Sequence, residues 1–150
     1  VDKLFGTFAF VLILLNLAPE KIKAQNDPNW IILSQVMFGE ERETDFGLKI
    51  APPIFTEQIR EKTGKEITLD GFIYPLEGAK ASKYFVLSMK PIATCFFCGK
   101  AGPETVVEVY AKKEIEYTEE RITLKGKFMV NEFSTTGVIY ILDEAEIIEE

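Results

Sequence analysis

The sequence predicts an all-β domain, a small barrel of about five strands, and three observations carry that expectation. The stretch EITLDGFIYPL, Glu66 to Leu76, alternates apolar and polar residues, as a strand with one buried and one wet face must. Its opening recurs as ITLKG, Ile122 to Gly126, so one strand pattern is used twice. Each copy carries a glycine, Gly71 or Gly126. A glycine inside such a strand marks a bulge or bend where the strand coils across a small barrel, so both are expected to be backbone-determined.

A chain of 150 residues that is 47% hydrophobic can bury one core and is short for two ordinary domains. The expected organisation is a leader over 1–24, an extension over 25–65 that packs on the barrel, and the barrel itself over 66–150. In the leader, Lys3 precedes a run that is apolar from Leu4 to Leu17 except for Gly6, Thr7 and Asn16, and Ala24 closes it. A positive start, a short apolar middle and a small final residue read as a secretory signal peptide, which places the mature chain in a bacterial periplasm or envelope with no transmembrane span of its own. Retention of the leader as a membrane anchor is the other reading.

The extension opens on Asn26-Asp27-Pro28-Asn29. The apolar run Trp30 to Phe38 then reads as a strand laid against the barrel, and Gly39 to Lys49 as a charged loop. Pro52-Pro53 introduces IFTEQIREKTG, read as a short helix ended by Gly64, with Ile54, Phe55 and Ile59 toward the barrel. From there the strands come quickly: 66–76, 84–89, 104–111, 121–131 and 138–148. Five short strands separated by turn signals leave little room for helix. Their order resembles the OB-fold, a five-stranded Greek-key barrel. An OB-fold commonly places a helix between its third and fourth strands; Lys112 to Glu120 has room only for a turn.

Composition excludes several functions. Removing Lys3, Lys21 and Lys23 with Asp2 and Glu20 leaves 14 basic against 22 acidic residues. Phosphate backbones are held by Lys and Arg, so no nucleic-acid partner is expected. There is no histidine, which removes Ser-His-Asp and Cys-His catalysis and His-ligated zinc or haem. With no nucleophile elbow and no phosphate-cradling glycine loop either, a binding or accessory module is expected rather than an enzyme.

Cys95-Phe96-Phe97-Cys98 is the one motif with chemical content. In an oxidising compartment an even cysteine count favours a disulfide, which would pin the loop. Zinc needs about four ligands and this pair supplies two, so Glu104, Glu108 or a second copy of the chain would complete the set, whereas copper(I) accepts fewer. A shared metal would make a homodimer. A thiol-disulfide role is the third reading, although redox motifs commonly sit at a helix N-terminus that lowers the thiol pKa, and the flanking residues read as loop. Phe96 and Phe97 either cover the barrel or present an apolar contact to an envelope partner.

Trp30 and Leu33, Gly64-Lys65, GFIYPL at Gly71 to Leu76, FVL at Phe85 to Leu87, the cysteine-bearing loop, Gly126 and Tyr140 together resemble the bacterial exported family known as domain of unknown function (DUF) 3299. The resemblance covers nearly all of the mature chain and rests mostly on fold-specifying positions. Family members typically carry one cysteine followed by a histidine and a polyproline run. Here the loop reads CFFCGKAGPE, with a single proline, Pro103. The resemblance implies export and an OB-like barrel, and no activity.

Overall fold

The computed structural model describes residues 27–43, 47, 49–76 and 78–148. The leader, 1–24, lies outside them. Five strands form a closed barrel: β1 (Glu66–Tyr74), β2 (Ala81–Ser88), β3 (Val106–Glu116), β4 (Ile122–Val130) and β5 (Tyr140–Ile147). The order around the barrel is β1-β2-β3-β5-β4, closing on β1. Neighbours are antiparallel except β3 and β5, which run parallel. That is the OB-like Greek key expected from the strand spacing. Strand bounds differ from the expected ones by a few residues at most, the largest change being β3. It runs five residues further, to Glu116, and a turn at 117–121 leads to β4 with no helix between.

Both glycines stand where the barrel turns. Residues 66–71 of β1 pair with β4, and residues 72–74 pair with β2, so the strand changes partners at Gly71. A Cβ at Gly71 would lie 2.5 Å from the Ser88 carbonyl oxygen. Gly126 lies at the register shift between β4 and β5. Across from it β5 bulges through Glu144 and Ala145, the former at φ 50°, and a Cβ on Gly126 would stand 2.8 Å from the Asp143 carbonyl oxygen. Inside, Ile67, Leu69, Ile73, Phe85, Leu87, Val107, Val109, Leu124, Phe128, Tyr140 and Leu142 form the core, from alternate positions of the strands.

The extension corrects three expectations. Pro28–Leu33 is a helix, α1, where a strand was expected across Trp30 to Phe38. Asp27 is its N-cap, accepting from the Asn29 backbone N–H at 2.7 Å, and Pro28 occupies the first turn, where its missing N–H is not needed. The i, i+3 spacing then puts Trp30 and Leu33 on one buried face. The second helix, α2, is only Glu57–Arg60, with Thr56 at the N-cap position but making no side-chain capping bond. Pro53 and Ile54 pair instead with Met37 and Phe38 in a two-residue antiparallel ladder. Phe55 and Ile59 are buried as expected, but Ile54 is exposed because it lies in that ladder rather than in a helix. The charged segment after Gly39 also pairs, Arg42–Glu43 against Lys49–Ile50.

Trp30, Leu33, Val36, Phe55 and Ile59 join the barrel core as one cluster. The polar atoms that this burial carries in are satisfied by the barrel. Trp30 Nε1 donates to the Asp70 carbonyl at 2.8 Å, Asn29 Nδ2 to the Thr68 carbonyl at 2.8 Å, and the Tyr140 hydroxyl to the Leu33 carbonyl at 2.7 Å. The extension therefore closes the barrel end at which β4 finishes and β5 begins.

Candidate functional site

That same end collects the two long loops. The β2–β3 loop, which carries the cysteines, starts where β2 finishes, and Ser88 pairs with Val106 at its base. The β4–β5 loop, 131–139, returns to β5, which runs parallel to β3 and so starts beside it. Topology thus gathers the extension, the cysteine loop and the β4–β5 loop on one side.

The cysteine loop is built from short 3₁₀ turns, Ile92–Thr94, Phe96–Cys98 and Pro103–Thr105. Gly99 ends the second turn in the left-handed conformation at φ 68°, which a side chain would strain. Cys95 is fully buried and Cys98 exposed, with their sulfurs 4.0 Å apart. The Cys98 thiol donates to the Ile92 carbonyl at 3.1 Å. Partial desolvation and the neighbouring Cys95 thiol push the Cys98 thiol up from its ordinary value, the opposite of what a redox nucleophile requires.

Phe96 packs with Tyr74 against Val86, Val106 and Val138, a small apolar cluster on the outer face of the barrel. Phe97 stacks on Tyr74 with ring centroids 4.5 Å apart and stays 38% exposed. One phenylalanine of the motif therefore anchors the loop and the other is presented.

Of Glu104 and Glu108, the candidate extra ligands, only Glu108 has a hydrogen-bond partner among the described residues. Glu108 is buried on the outer face of β3, and its Oε1 accepts from the Thr136 hydroxyl at 2.7 Å. Glu104 folds back against Gly102, and its charge adds to the burial that pushes the Tyr140 phenol up. Among the described residues no group of three or more Cys, Asp or Glu side chains is placed to hold a metal. Gly71 and Gly126 shape the barrel and lie outside this loop cluster.

Beside the cysteine loop opens a cleft of about 950 Å³. Its lining comes from all three converging segments: Phe38, Arg42, Lys49 and Ile50 from the extension ladders, Arg60 from α2, Phe96 and Pro103 from the cysteine loop, and Phe133 and Gly137 from the β4–β5 loop. Apart from Phe96, these residues were not among the sequence candidates. The signal available was Phe133, an aromatic in the turn-rich stretch NEFSTTG where a solvated turn has no need of one. No protein-family model, characterised protein or solved structure matches the chain.

Proposed function

We propose that the protein is an exported, non-enzymatic binding module of the bacterial envelope, and that its cysteine loop is a ledge presented to a partner protein. The observation that carries this reading is the division of labour between adjacent phenylalanines: Phe96 packs into the outer-face cluster while Phe97, braced on Tyr74, stays exposed. A pinned loop gives up little entropy on binding, and an exposed aromatic on a rigid base is a common anchor. The apolar stretch Leu4–Leu17 supports export, and membership of the DUF3299 family would carry the same compartment. The raised Cys98 thiol supports binding over thiol-disulfide turnover.

A second reading is favoured by the 4.0 Å sulfur separation: two thiolates so close suit a soft metal, copper(I) on this pair alone or zinc shared with a second copy of the chain. One sample from an envelope fraction distinguishes the readings. N-terminal sequencing near Gln25 or Asn26 establishes export, whereas an intact first residue in the membrane pellet would replace it with an anchor. A non-reducing intact mass about 2 Da below the dithiol value, without metal, supports the ledge. A stoichiometric copper or zinc signal that disappears in Cys98→Ala supports metal handling. Reductase or isomerase turnover that vanishes in Cys95→Ser would sink the binding-module reading.

A further inference from the structure

We propose that the cleft between the extension and the β4–β5 loop binds a small amphipathic anion, an apolar acyl or aromatic body carrying one acidic head. This site goes beyond the cysteine ledge and does not depend on the state of the thiols. Its volume of about 950 Å³ lies within the range of small-molecule sites, and its walls are largely apolar. Three aromatic rings, Phe38, Phe96 and Phe133, come from three separate segments. Phe133 is 88% exposed, more than any other large hydrophobic residue described, and Phe38 is 41% exposed. Isolated exposed apolar residues need no explanation, but two that share the rim of one concave surface supply a site with apolar area still to bury.

Charge selects the occupant. The chain carries a net charge of −7, yet among the described residues the charged side chains lining the cleft are Arg42, Lys49, Arg60 and a single carboxylate, Glu132. Glu132 is paired with Arg60 at 2.9 Å, closing one side of the cleft. Positive charge in the lining beyond that pair comes from Arg42 and Lys49, carried on the two paired strands of one short ladder, Arg42 opposite Ile50 and Lys49 opposite Glu43. Lys49 touches Glu41 only at 4.0 Å, through two well-exposed side chains, so this contact yields readily to a ligand. A guanidinium and an ammonium at the mouth of an apolar cleft recognise a carboxylate or sulfonate head. A bilayer surface cannot enter a concave cleft walled on two sides, and a polyanion would meet the repulsion of the whole acidic chain.

Isothermal titration calorimetry with dodecanoate, kept below its critical micelle concentration, tests the proposal. Dodecyltrimethylammonium supplies the same chain with the opposite charge, and acetate the head alone. The expected result is one saturable dodecanoate site, at least tenfold weaker binding of the cation, and none of acetate. Phe133→Ala, whose side chain is too exposed for its loss to unfold the protein, weakens dodecanoate at least fivefold. Arg42→Gln with Lys49→Gln removes the preference for anion over cation while leaving the melting temperature unchanged. No saturable site, undiminished binding in Phe133→Ala, or equal binding of the cation would overturn the proposal. So would sedimentation with anionic phosphatidylglycerol vesicles without binding of monomeric dodecanoate, which would assign the exposed rings to a membrane surface.

Discussion

Gly71 lies so close to Ser88 that a methyl group on its Cα would stand 2.5 Å from the Ser88 carbonyl oxygen and 3.0 Å from Leu87 Cγ. The contact sits where β1 leaves β4 and takes up β2, so the obstruction is backbone of the next strand and cannot swing away. Replacing a strand glycine ordinarily recovers up to about 1 kcal/mol. Here Gly71→Ala is expected to destabilise by about 1–3 kcal/mol, because the barrel must open to admit the methyl, and Gly71→Val by more. Urea titration measures it; a neutral or stabilising alanine would mean that β1 can bend without the glycine.

The Tyr140 hydroxyl spans 107 residues of sequence to reach the Leu33 carbonyl, linking the barrel core to the extension. Among the described residues the other donor to that carbonyl is the Val36 N–H at 3.4 Å, a long bond. Tyr140→Phe is therefore expected to cost about 1–3 kcal/mol. Burial, with the Glu104 charge behind it, pushes the phenol well above its ordinary value near 10. For a group raised in the folded state, the stabilisation is fully present below the unfolded pKa and is lost as pH rises above it. The wild type should lose stability above pH 10 more steeply than Tyr140→Phe, and superimposable alkaline melting curves would argue against the buried phenol.

The barrel was legible in the sequence because each strand has a wet face and a buried face, and alternation records both. The extension was not. Trp30 to Phe38 is apolar nearly throughout, so its period is obscured; the Asp27-Pro28 start was the better guide, since a capping carboxylate followed by proline favours a helix whatever follows. The loops over the barrel end were legible only as loops. Their convergence follows from the parallel β3–β5 pairing, a long-range fact that no local pattern carries. Phe38 and Arg42 are far from Phe133 in the chain, and nothing in their neighbourhoods marks them as partners in one cleft.

Cys98 should react slowly for an exposed thiol. Partial desolvation and the Cys95 thiol raise its pKa, so less thiolate is present at pH 8 than in an unstructured peptide. Cys95, fully buried, should not react until the protein unfolds. In the reduced protein, iodoacetamide is expected to add once under native conditions, more slowly than to a model thiol, and twice in urea. Native labelling of Cys98 faster than the model thiol would point to an activated nucleophile and revive the oxidoreductase reading.

Asp27 and Asp70 bring two carboxyl groups together where α1 docks on β1. Asp70 Oδ2 is bound by Arg121 at 2.9 Å, while its buried Oδ1 has no hydrogen-bond partner among the described residues. Burial first, and then Asp70, raise the Asp27 pKa against the lowering effect of its capping bond to Asn29. The sign follows from the raised value: the favourable contribution belongs to protonated Asp27, is complete below the ordinary carboxylate range, and is lost as pH rises through the folded pKa. At neutral pH the wild type therefore holds a charge that the site disfavours. Asn caps a helix as well as Asp, carries no charge, and can donate from its amide to Asp70 Oδ1. Asp27→Asn is expected to raise the melting temperature at pH 7, and the gain should shrink toward zero near pH 3, where both versions are neutral at this position. Asp27→Ala, which removes the cap along with the charge, should not reproduce the gain. A lower melting temperature for Asp27→Asn at pH 7, or a gain that grows on acidification, would show that ionised Asp27 stabilises the fold and that the two carboxyls do not oppose one another.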